Sequence, residues 1–384
     1  MPKQKNVLIA NRGEIAVRVA RAAKSLGINP ISIFASADSE SLHTKLTEQS
    51  IELDGPENDP VSAYLDVAQI INIAKEHDCQ LIHPGYGFLS ENADFARRCS
   101  EQGIKFIGPT AEILELFGDK VRARQMAGSL SIPTIPGSKD TLSSVESARE
   151  IAKKIGYPIM LKASSGGGGR GMREVNSDEE MKTAFERCSS EAKSSFGDES
   201  LFLEKLIVSP RHIEIQVLAD QLGNTVRLFE RDCSVQERNQ KVIEIAPAPN
   251  LDEKLLDKLY TDAKKLVMEA GYTNAGTVEF LVLPETDEYY FIECNPRIQV
   301  EHTVTEAITG IDLVEAQFRI SLGDGLEAIN LDAKQEMARP SCFAIQARIV
   351  SKGNGTLNSY KEPSGPGVRV DSAAYPGLTP PSFF

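Results

Sequence analysis

The stretch Glu293-Cys-Asn-Pro-Arg-Ile-Gln-Val-Glu301 alternates polar and apolar residues from end to end. In an extended segment successive side chains point to opposite faces, so its five polar residues share one face of the predicted strand. Pro296 disfavours a helix here, and the preceding Tyr289–Ile292 run is typical of a strand. On its own the pattern is more typical of a solvated surface than of a site, so the residues upstream decide the interpretation.

Two β-rich runs separated by a turn lie upstream of the alternating residues. Thr277–Leu283 and Tyr289–Glu293 have strand compositions, and Pro284–Glu288 between them is rich in turn formers. These segments predict a β-hairpin. If the hairpin is symmetric about the middle of its turn, Glu279 lies directly opposite Glu293.

The predicted pairing of these two acids needs a counter-charge. Directly paired side chains have Cβ atoms about 4.5–5.5 Å apart, and like charges there are destabilising. Mg²⁺ and similar hard cations take oxygen ligands, and Asn295 offers a third oxygen on the same face. The hairpin therefore predicts a metal site made of Glu279, Glu293 and Asn295. A register slipped by one residue is the alternative, and it would separate the two acids.

Composition excludes several classes of protein. The chain has 384 residues, enough for two or three domains, and its net charge of −13 argues against binding nucleic acid or an anionic membrane. No apolar run approaches the roughly 20 residues that cross a bilayer, and the N-terminus lacks a signal-peptide pattern. The six cysteines include no Cys-x-x-Cys pair, as expected for reduced thiols. These features predict a cytoplasmic protein.

The first part of the chain alternates predicted strands with predicted helices. The strands are Asn6–Ala10, Pro30–Phe34, Gln80–Ile82 and Lys105–Ile107, and the helices are Ile15–Leu26 and Ala63–Glu76. This rhythm predicts an α/β fold with a mostly parallel, doubly wound sheet. His83–Phe88 follows a strand end, where such sheets bind ligands, although a rigid turn with packed aromatic residues explains it equally well.

Four consecutive glycines follow the predicted strand Pro158–Lys162. They are Gly166, Gly167, Gly168 and Gly169. Such a tract lets backbone N–H groups approach an anion closely, but it is not a Walker A loop, which needs Gly-Lys-Ser/Thr. Because the tract is short and bracketed by Lys162 and Arg170, we interpret it as a phosphate-binding flap rather than a flexible linker.

The remaining elements complete a second unit and begin a third. We predict strands at Ser200–Leu206, His212–Leu218, Cys342–Val350 and Val368–Asp371, and helices at Ala111–Leu130, Leu251–Ala270 and Thr303–Leu322. The chain stops at Phe384 with nothing to pair or cap its last segment. We interpret the final stretch as an interrupted domain.

Six motifs, in their order and spacing, resemble those of the biotin carboxylases, which belong to the ATP-grasp superfamily. They are Ala10–Ala16, His83–Asn92, Gly118–Lys120, Lys162–Met172, Arg231–Gln236 and Asn295–Glu306. The resemblance spans nearly the whole chain. Within the family, the chain is most similar to the biotin carboxylase part of pyruvate carboxylase and of the acyl-CoA carboxylases. Another ATP-grasp ligase, such as the large chain of carbamoyl phosphate synthetase, shares the fold but lacks the Arg297–His302 row.

The resemblance implies three domains and an activity. It implies an N-terminal pre-ATP-grasp domain over residues 1–110, an ATP-grasp domain over 111–335 with its flap at about 133–205, and part of a C-terminal domain over 336–384. It implies carboxylation of biotin through carboxyphosphate, with ATP, Mg²⁺ or Mn²⁺, and bicarbonate. It implies that the biotin is attached to a carrier domain or protein, and that a carboxyltransferase is a further partner. It also implies a homodimer, as in full-length family members. The alternative is a truncated, catalytically impaired fragment that retains nucleotide and metal binding or acts only through interactions.

The resemblance also implies residue roles around the nucleotide. The phosphates are expected at Lys120, Lys162 and the glycines Gly166–Gly169, the adenine at Glu204, Lys205 and Ile207, and the ribose at His212 and Gln236. The metal is expected at Glu279, Glu293 and Asn295. Where the family has a histidine this chain has Asn239, with Glu237 nearby, which we expect to weaken nucleotide binding modestly.

The roles implied for the chemistry fall on a few charged residues. Bicarbonate is expected at Lys241, Arg297 and Val300, although Lys241 alone is indistinguishable in sequence from a surface lysine. Glu301 is expected to be the base that deprotonates bicarbonate, since a positioned carboxylate can take that proton. Arg348 is expected to bind the ureido oxygen of biotin, where a fixed positive charge stabilises a developing oxyanion.

Overall fold

The structure of this chain, a computed structural model, describes residues 4–165, 171–334, 337–350 and 355–380. Within these ranges the strands form three sheets. No helix in the same ranges combines the length and the apolar character that crossing a bilayer requires.

The first sheet is parallel, with five strands in the order β3-β2-β1-β4-β5. Its strands are β1 (Asn6–Ile9), β2 (Asn29–Phe34), β3 (Gln49–Glu52), β4 (Cys79–His83) and β5 (Lys105–Phe106). The accompanying helices are α1 (Gly13–Ser25), α2 (Leu42–Leu46), α3 (Pro60–Ala63), α4 (Val67–Glu76) and α5 (Ala93–Glu101). Buried residues of α1 pack on one face of the sheet and those of α4 and α5 on the other, which confirms the predicted doubly wound α/β fold.

Two helices lead out of the first sheet where the sequence predicted one. They are α6 (Ala111–Gly118) and α7 (Lys120–Ser129). The prediction of a continuous helix is wrong because Asp119 adopts an extended conformation and its carboxylate accepts hydrogen bonds from the N–H groups of Val121 and Arg122. This N-cap starts a new helix with Lys120 as its first residue.

A small antiparallel sheet follows, in the order β7-β6-β8. Its strands are β6 (Ile159–Ala163), β7 (Met172–Val175) and β8 (Leu201–Lys205), and α8 (Val145–Ile155) and α9 (Met181–Phe196) pack against it. The sequence analysis identified β6 and β8 but not α9. The predicted flap glycines 166–169 lie outside the described residues.

The third sheet is antiparallel and has six strands in the order β13-β12-β9-β10-β11-β14. Its strands are β9 (Arg211–Ala219), β10 (Thr225–Glu237), β11 (Gln240–Ala246), β12 (Asn274–Val282), β13 (Tyr289–Asn295) and β14 (Ala344–Ala347). The helices of this part are α10 (Glu253–Glu269), α11 (His302–Thr309) and α12 (Leu313–Leu322). The apolar face of α10 covers one face of this sheet, and α12 packs with α1, so the first and third sheets share a core.

The predicted hairpin forms in the predicted register at its polar end. Glu279 pairs directly with Glu293, and Thr277 pairs with Asn295. Beyond Glu279 the pairing shifts by one residue, so that Phe280 pairs with Phe291. The slipped register is therefore excluded for the two acids.

The prediction that the strand continues to Glu301 is wrong. Strand β13 ends at Asn295, since Pro296 has no N–H to extend the ladder and the N–H of Arg297 instead donates to the Asn295 carbonyl at 2.9 Å. The chain turns, and Glu301 immediately precedes α11.

Three further predictions need correction. In the described residues no strand forms at Val368–Asp371, because Gly365 and Gly367 have positive φ and the Val368 N–H closes a turn onto the Gly365 carbonyl. The predicted strand Cys342–Val350 contracts to β14, and the predicted helix Thr303–Leu322 divides into α11 and α12 at Gly310, which has a φ of 72°.

Candidate active site

Strands β9 and β12 direct apolar side chains to one face of the large sheet and polar ones to the other. Ile213 and Phe280 lie in the core that includes α10. Glu214 and Glu279 are each one position away, so they take the opposite face. Glu279 pairs directly with Glu214 on one side and with Glu293 on the other. Three carboxylates on successive strands therefore form one row.

Arg231 on β10 continues this row and pairs directly with Glu214. Its side chain is fully buried. The guanidinium donates to Glu214 Oε2 (3.1 Å), Gln216 Oε1 (2.7 Å), Thr277 Oγ1 (3.2 Å), Gln299 Oε1 (2.6 Å) and Thr305 Oγ1 (3.0 Å). Burying an arginine is tolerated only when its charge and donors are satisfied, as they are here. Arg231 thus fixes the acids and amides around it.

Lys241 places one ammonium group among three carboxylates. Its Nζ donates to Glu279 Oε1 at 3.1 Å and to Glu301 Oε1 at 2.9 Å, and it contacts Glu214 Oε1. Burial lowers the pKa of Lys241, but Glu279 and Glu301 more than compensate, so the net shift is upward. The side chain therefore carries its positive charge and is no ordinary surface lysine.

Glu279 is the most densely hydrogen-bonded acid of the row. Its Oε1 accepts from Asn295 Nδ2 at 2.6 Å and Gln299 Nε2 at 2.7 Å as well as from Lys241, and its Oε2 lies 2.6 Å from His212 Nε2. Burial raises the pKa of Glu279, yet Lys241 and His212 hold that pKa well below its usual range. Gln299, which had no assigned role in the sequence, connects this carboxylate to the buried Arg231.

The positions of Glu279 and Glu293 show whether the predicted metal ligands could hold an ion. Lys120, at the start of α7, lies with its Nζ 3.1 Å from Glu293 Oε2. Burial raises the pKa of Glu293, Lys120 lowers it, and Glu279 opposes that decrease by like-charge repulsion. Two acids in register with the amide of Asn295 form a hard oxygen donor set, and their mutual repulsion favours a divalent cation between them. The residues present fit Mg²⁺ or Mn²⁺.

Glu301 lies between two cations on the other side of Lys241. Arg348, just after β14, donates from Nη2 to Glu301 Oε2 at 2.9 Å and from Nε to Glu244 Oε1 at 2.6 Å. Burial raises the pKa of Glu301, but Lys241, Arg231 and Arg348 together lower it to about 2. Glu301 is therefore an ionised carboxylate, and it is held by the same side chains that are expected to bind bicarbonate and biotin.

Arg297 lies in the turn after β13, next to the metal set. Its Nη2 donates to Asn295 Oδ1 at 3.1 Å, its Nη1 to the Ile298 carbonyl at 3.2 Å, and its Nε to Glu91 Oε1 at 2.5 Å. Val300, the third residue predicted to bind bicarbonate, is half-buried in the turn before α11. The turn thus brings Arg297, Val300 and Glu301 to one edge of the site.

Three of the residues predicted to bind adenine and phosphate, Lys162, Glu204 and Lys205, lie on the small sheet. Lys162 on β6 pairs with Glu204 Oε2 on β8 at 2.5 Å, and Arg124 Nε lies 3.2 Å from Glu204 Oε1. The ammonium of Lys205 donates to the carbonyls of Gly156 and Tyr157, so this side chain is already engaged. A cleft of about 550 Å³ opens between this sheet and α7, and its walls include Glu91, Asp119, Ser164 and Ser200.

The other predicted nucleotide ligands lie at the ends of strands. His212 receives a contact from Gln236 Nε2 at 3.3 Å on its Nδ1, while its Nε2 faces Glu279. Ile207 is half-buried just after β8. Asn239 is exposed in the β10–β11 turn with a φ of 64°, a conformation that asparagine tolerates better than most residues. Its contribution to nucleotide binding stays a prediction.

Comparison with known proteins adds independent evidence. Residues 3–114 match the family model of the biotin carboxylase N-terminal domain, and residues 119–329 match that of the carbamoyl-phosphate synthase L chain ATP-binding domain. The biotin carboxylase domain dimer of Hydrogenobacter thermophilus 2-oxoglutarate carboxylase, solved with MgADP, ADP and bicarbonate, superimposes with a TM-score of 0.92. It is 44% identical, and the match covers 98% of this chain and 83% of that one. The chain belongs to the biotin carboxylase family.

Other family members agree with this membership. A biotin carboxylase–β,γ-ATP complex from Campylobacter jejuni gives a TM-score of 0.93 at 40% identity, covering 98% of this chain and 84% of that one. Pyruvate carboxylase from Bacillus subtilis is 48% identical over 376 residues, and pyruvate carboxylase 1 from Caenorhabditis elegans is 49% identical over 382. These matches cover 95% and 97% of this chain but only 32% of each relative, so the chain spans about a third of their length. The predicted resemblance to the family is confirmed.

Several residues of this biotin carboxylase site escaped the sequence analysis. They are Glu91, Arg124, Glu214, Arg231 and Glu244, and each makes an ion pair with another residue of the site. For Glu214 a signal existed, because it follows His212 by two positions in a strand and so shares its face. For Arg231 and Glu244 the signal was weaker, since each shares its strand with other charged residues, such as Glu230 and Asp232 on β10 and Lys241 on β11, and nothing local distinguishes it from them.

Proposed function

We propose that this chain catalyses the ATP- and bicarbonate-dependent carboxylation of biotin carried on a separate domain or protein. The observation that carries this proposal is the Glu301 carboxylate, which is buried between Lys241 and Arg348 and shares Lys241 with Glu279. A base with a cation on either side, next to a metal set, is suited to activating one small anion against a nucleotide.

Bicarbonate binding would rearrange the contacts of Glu301. In the structure Lys241 and Arg348 stabilise its negative charge, which makes it a weak base. A bicarbonate held by Lys241, Arg297 and the backbone at Val300 would share those cations, raise the pKa of Glu301 and present its own O–H to the carboxylate. Glu301 then takes the proton, a bicarbonate oxygen attacks the γ-phosphorus, and ADP leaves as carboxyphosphate forms.

The other site residues hold the nucleotide and biotin. Lys120 and Lys162 would contact the phosphates, and Glu204, Lys205, Ile207, His212, Gln236 and Asn239 would surround the nucleoside. Mg²⁺ or Mn²⁺ held by Glu279, Glu293 and Asn295 neutralises charge on the phosphates when bound. Arg348 would turn from Glu301 to the ureido oxygen of biotin, where its charge stabilises the enolate-like form that accepts the carboxyl group.

Domain organisation and partners form part of the same proposal. Residues 1–110, 111–335 and 336–384 would correspond to the N-terminal, ATP-grasp and partial C-terminal domains of the family. The curated relatives that the chain matches are pyruvate carboxylases, and one solved neighbour is a dimer, which supports a biotinyl carrier, a carboxyltransferase and a second copy as partners.

Phosphate release from ATP tests the proposal directly. We expect the wild-type chain to hydrolyse ATP faster when bicarbonate and free biotin are both present, and the Glu301→Gln variant to lose about 10²–10⁴-fold of that dependent rate. The control is Glu253→Gln on α10, whose side chain is 84% exposed and whose carboxylate pairs with Arg339.

Two outcomes would contradict the proposal. Equal rates for wild type and Glu301→Gln would remove Glu301 as the base. Nucleotide binding by the wild type without any bicarbonate-dependent hydrolysis would instead support a fragment that retains binding alone.

A further inference from the structure

The segment His83–Asn92 lies in the first sheet's part of the molecule and has no role in the chemistry described so far. Asn11, at the end of β1, holds this segment by donating from Nδ2 to the carbonyls of Pro84 at 2.7 Å and Tyr86 at 2.8 Å. Gly85 between them has a φ of 64°, and a Cβ there would lie 2.9 Å from Asn11 Nδ2. Both the conformation and the space require glycine, so the loop has a defined shape.

The far end of the same loop is fixed as well. The N–H of Ser90 donates to the Gly87 carbonyl at 2.9 Å. Asn92 caps α5, accepting from the N–H of Phe95 at 2.8 Å. The residues before and after Glu91 are therefore both held by hydrogen bonds. This limits where the Glu91 carboxylate can lie.

That carboxylate contacts Arg297, which is 206 positions away in the turn after β13. Arg297 Nε donates to Glu91 Oε1 at 2.5 Å, while its Nη atoms donate to Asn295 Oδ1 and the Ile298 carbonyl. A guanidinium has five N–H donors. Three are used here, and two remain, one on each Nη, the number that a bidentate contact with a carboxylate-like anion requires.

Charge favours the same arrangement. The Arg297 side chain is 21% exposed and that of Glu91 is 40% exposed. An arginine at this depth therefore depends on Glu91 for part of its stability as a cation.

We propose that Glu91 is a positioning residue that orients Arg297 for bicarbonate. The inference rests on the proposed function, because it takes Arg297 as a bicarbonate ligand. Glu91 holds the Nε side of the guanidinium, so the two free Nη donors face the anion before it arrives. The contact also explains why the first sheet, which otherwise contributes little to the site, carries the rigid segment His83–Asn92 at this edge.

The test compares Glu91→Gln with a matched pair elsewhere. Arg319 Nε donates to Asp324 at 2.7 Å, and the Asp324 side chain is 42% exposed, so Asp324→Asn removes the same kind of charge from the same kind of contact outside the site. In Glu91→Gln we expect the KM for bicarbonate to rise about tenfold, with the KM for ATP and kcat changed less than twofold. In Asp324→Asn all three should stay at the wild-type values.

Combined variants and spectroscopy distinguish positioning from a general structural effect. In an Arg297→Lys background, Glu91→Gln should have no further effect on the KM for bicarbonate. In ¹H–¹⁵N spectra, the Nε–H resonance that Arg297→Lys abolishes should move upfield in Glu91→Gln and stay in place in Asp324→Asn. The spectrum requires no turnover.

The proposal is overturned if that resonance does not move in Glu91→Gln. It is also overturned if the KM for ATP rises while that for bicarbonate does not, since Glu91 would then act on nucleotide binding instead. A wild-type chain without bicarbonate-dependent hydrolysis would refute the proposed function itself, whereas the spectrum would still decide whether Glu91 fixes Arg297.

Discussion

At the scale of single residues, the site depends on carboxylates that are kept ionised inside the protein. Glu279 and Glu301 are almost completely buried, at 2% exposure each, and neither could hold a charge there without Lys241 between them. Arg231 donates hydrogen bonds to Glu214, and Gln299 donates one to Glu279, so these acids are held in place. The same cations that keep Glu301 ionised are those that the substrates would recruit.

The buried acids predict how stability depends on pH. The pKa of Glu301 is lowered from 4.5 to about 2, so its ionised form stabilises the fold above the unfolded value and that contribution is lost as the pH falls toward about 2. We expect the free energy of unfolding to decrease between about pH 5 and 2, and to decrease less steeply in Glu301→Gln. Urea unfolding at a series of pH values measures this, with Glu253→Gln as the control. Equal slopes in all three proteins would contradict the assignment.

Single residues also show what the sequence could and could not reveal. The direct pairing of Glu279 with Glu293 could be predicted, because it depends only on the lengths of two strands and the turn between them, within one short stretch of sequence. The five donors of Arg231 reach residues between Glu214 and Thr305, and that convergence depends on the pairing of three strands, β9, β10 and β12. The ion pair of Glu91 with Arg297 crosses 206 residues and had no local signal.

At the scale of elements, the ends of strands and helices place the reactive groups. Strand β13 stops at Asn295 because Pro296 follows, and the turn that results moves Arg297 and Glu301 out of the sheet. Helix α7 starts anew at Lys120 because Asp119 caps it. The sequence predicted one continuous helix there, since helical periodicity gives no warning of a break made by a single capping residue.

The cap of α7 can be tested by substitution. Asp119→Ala should lower the free energy of unfolding by about 1 kcal/mol and raise the KM for ATP, because Lys120 loses its fixed place in the first turn. Asp119→Asn retains an oxygen that can accept the same two hydrogen bonds, so it should stay near the wild type in both. Thermal unfolding and ATP titration provide the two measurements. If Asn and Ala were equally harmful, the negative charge rather than the cap would be the important property of Asp119.

At the scale of the whole molecule, the three sheets each supply a different part of the site. The first sheet contributes Glu91, the small sheet Lys162 and Glu204, and the large sheet the row of acids with Arg231 and Lys241. The doubly wound first sheet and the acidic hairpin were predictable because their patterns are periodic. The packing of the sheets against one another was not predictable from the sequence. The core that α1 and α12 share joins residues nearly 300 positions apart, such as Val19 and Leu313.

The fate of a bicarbonate oxygen tests the central claim most directly. With ¹⁸O-labelled bicarbonate, ATP, Mg²⁺ and free biotin, the attack of bicarbonate on the γ-phosphorus should leave one ¹⁸O atom in each phosphate released, provided that phosphate is analysed by mass spectrometry before the label exchanges with water. Glu301→Gln should release little labelled phosphate. Phosphate that contains only solvent oxygen would mean that water, not bicarbonate, attacks ATP, and would contradict the formation of carboxyphosphate at this site.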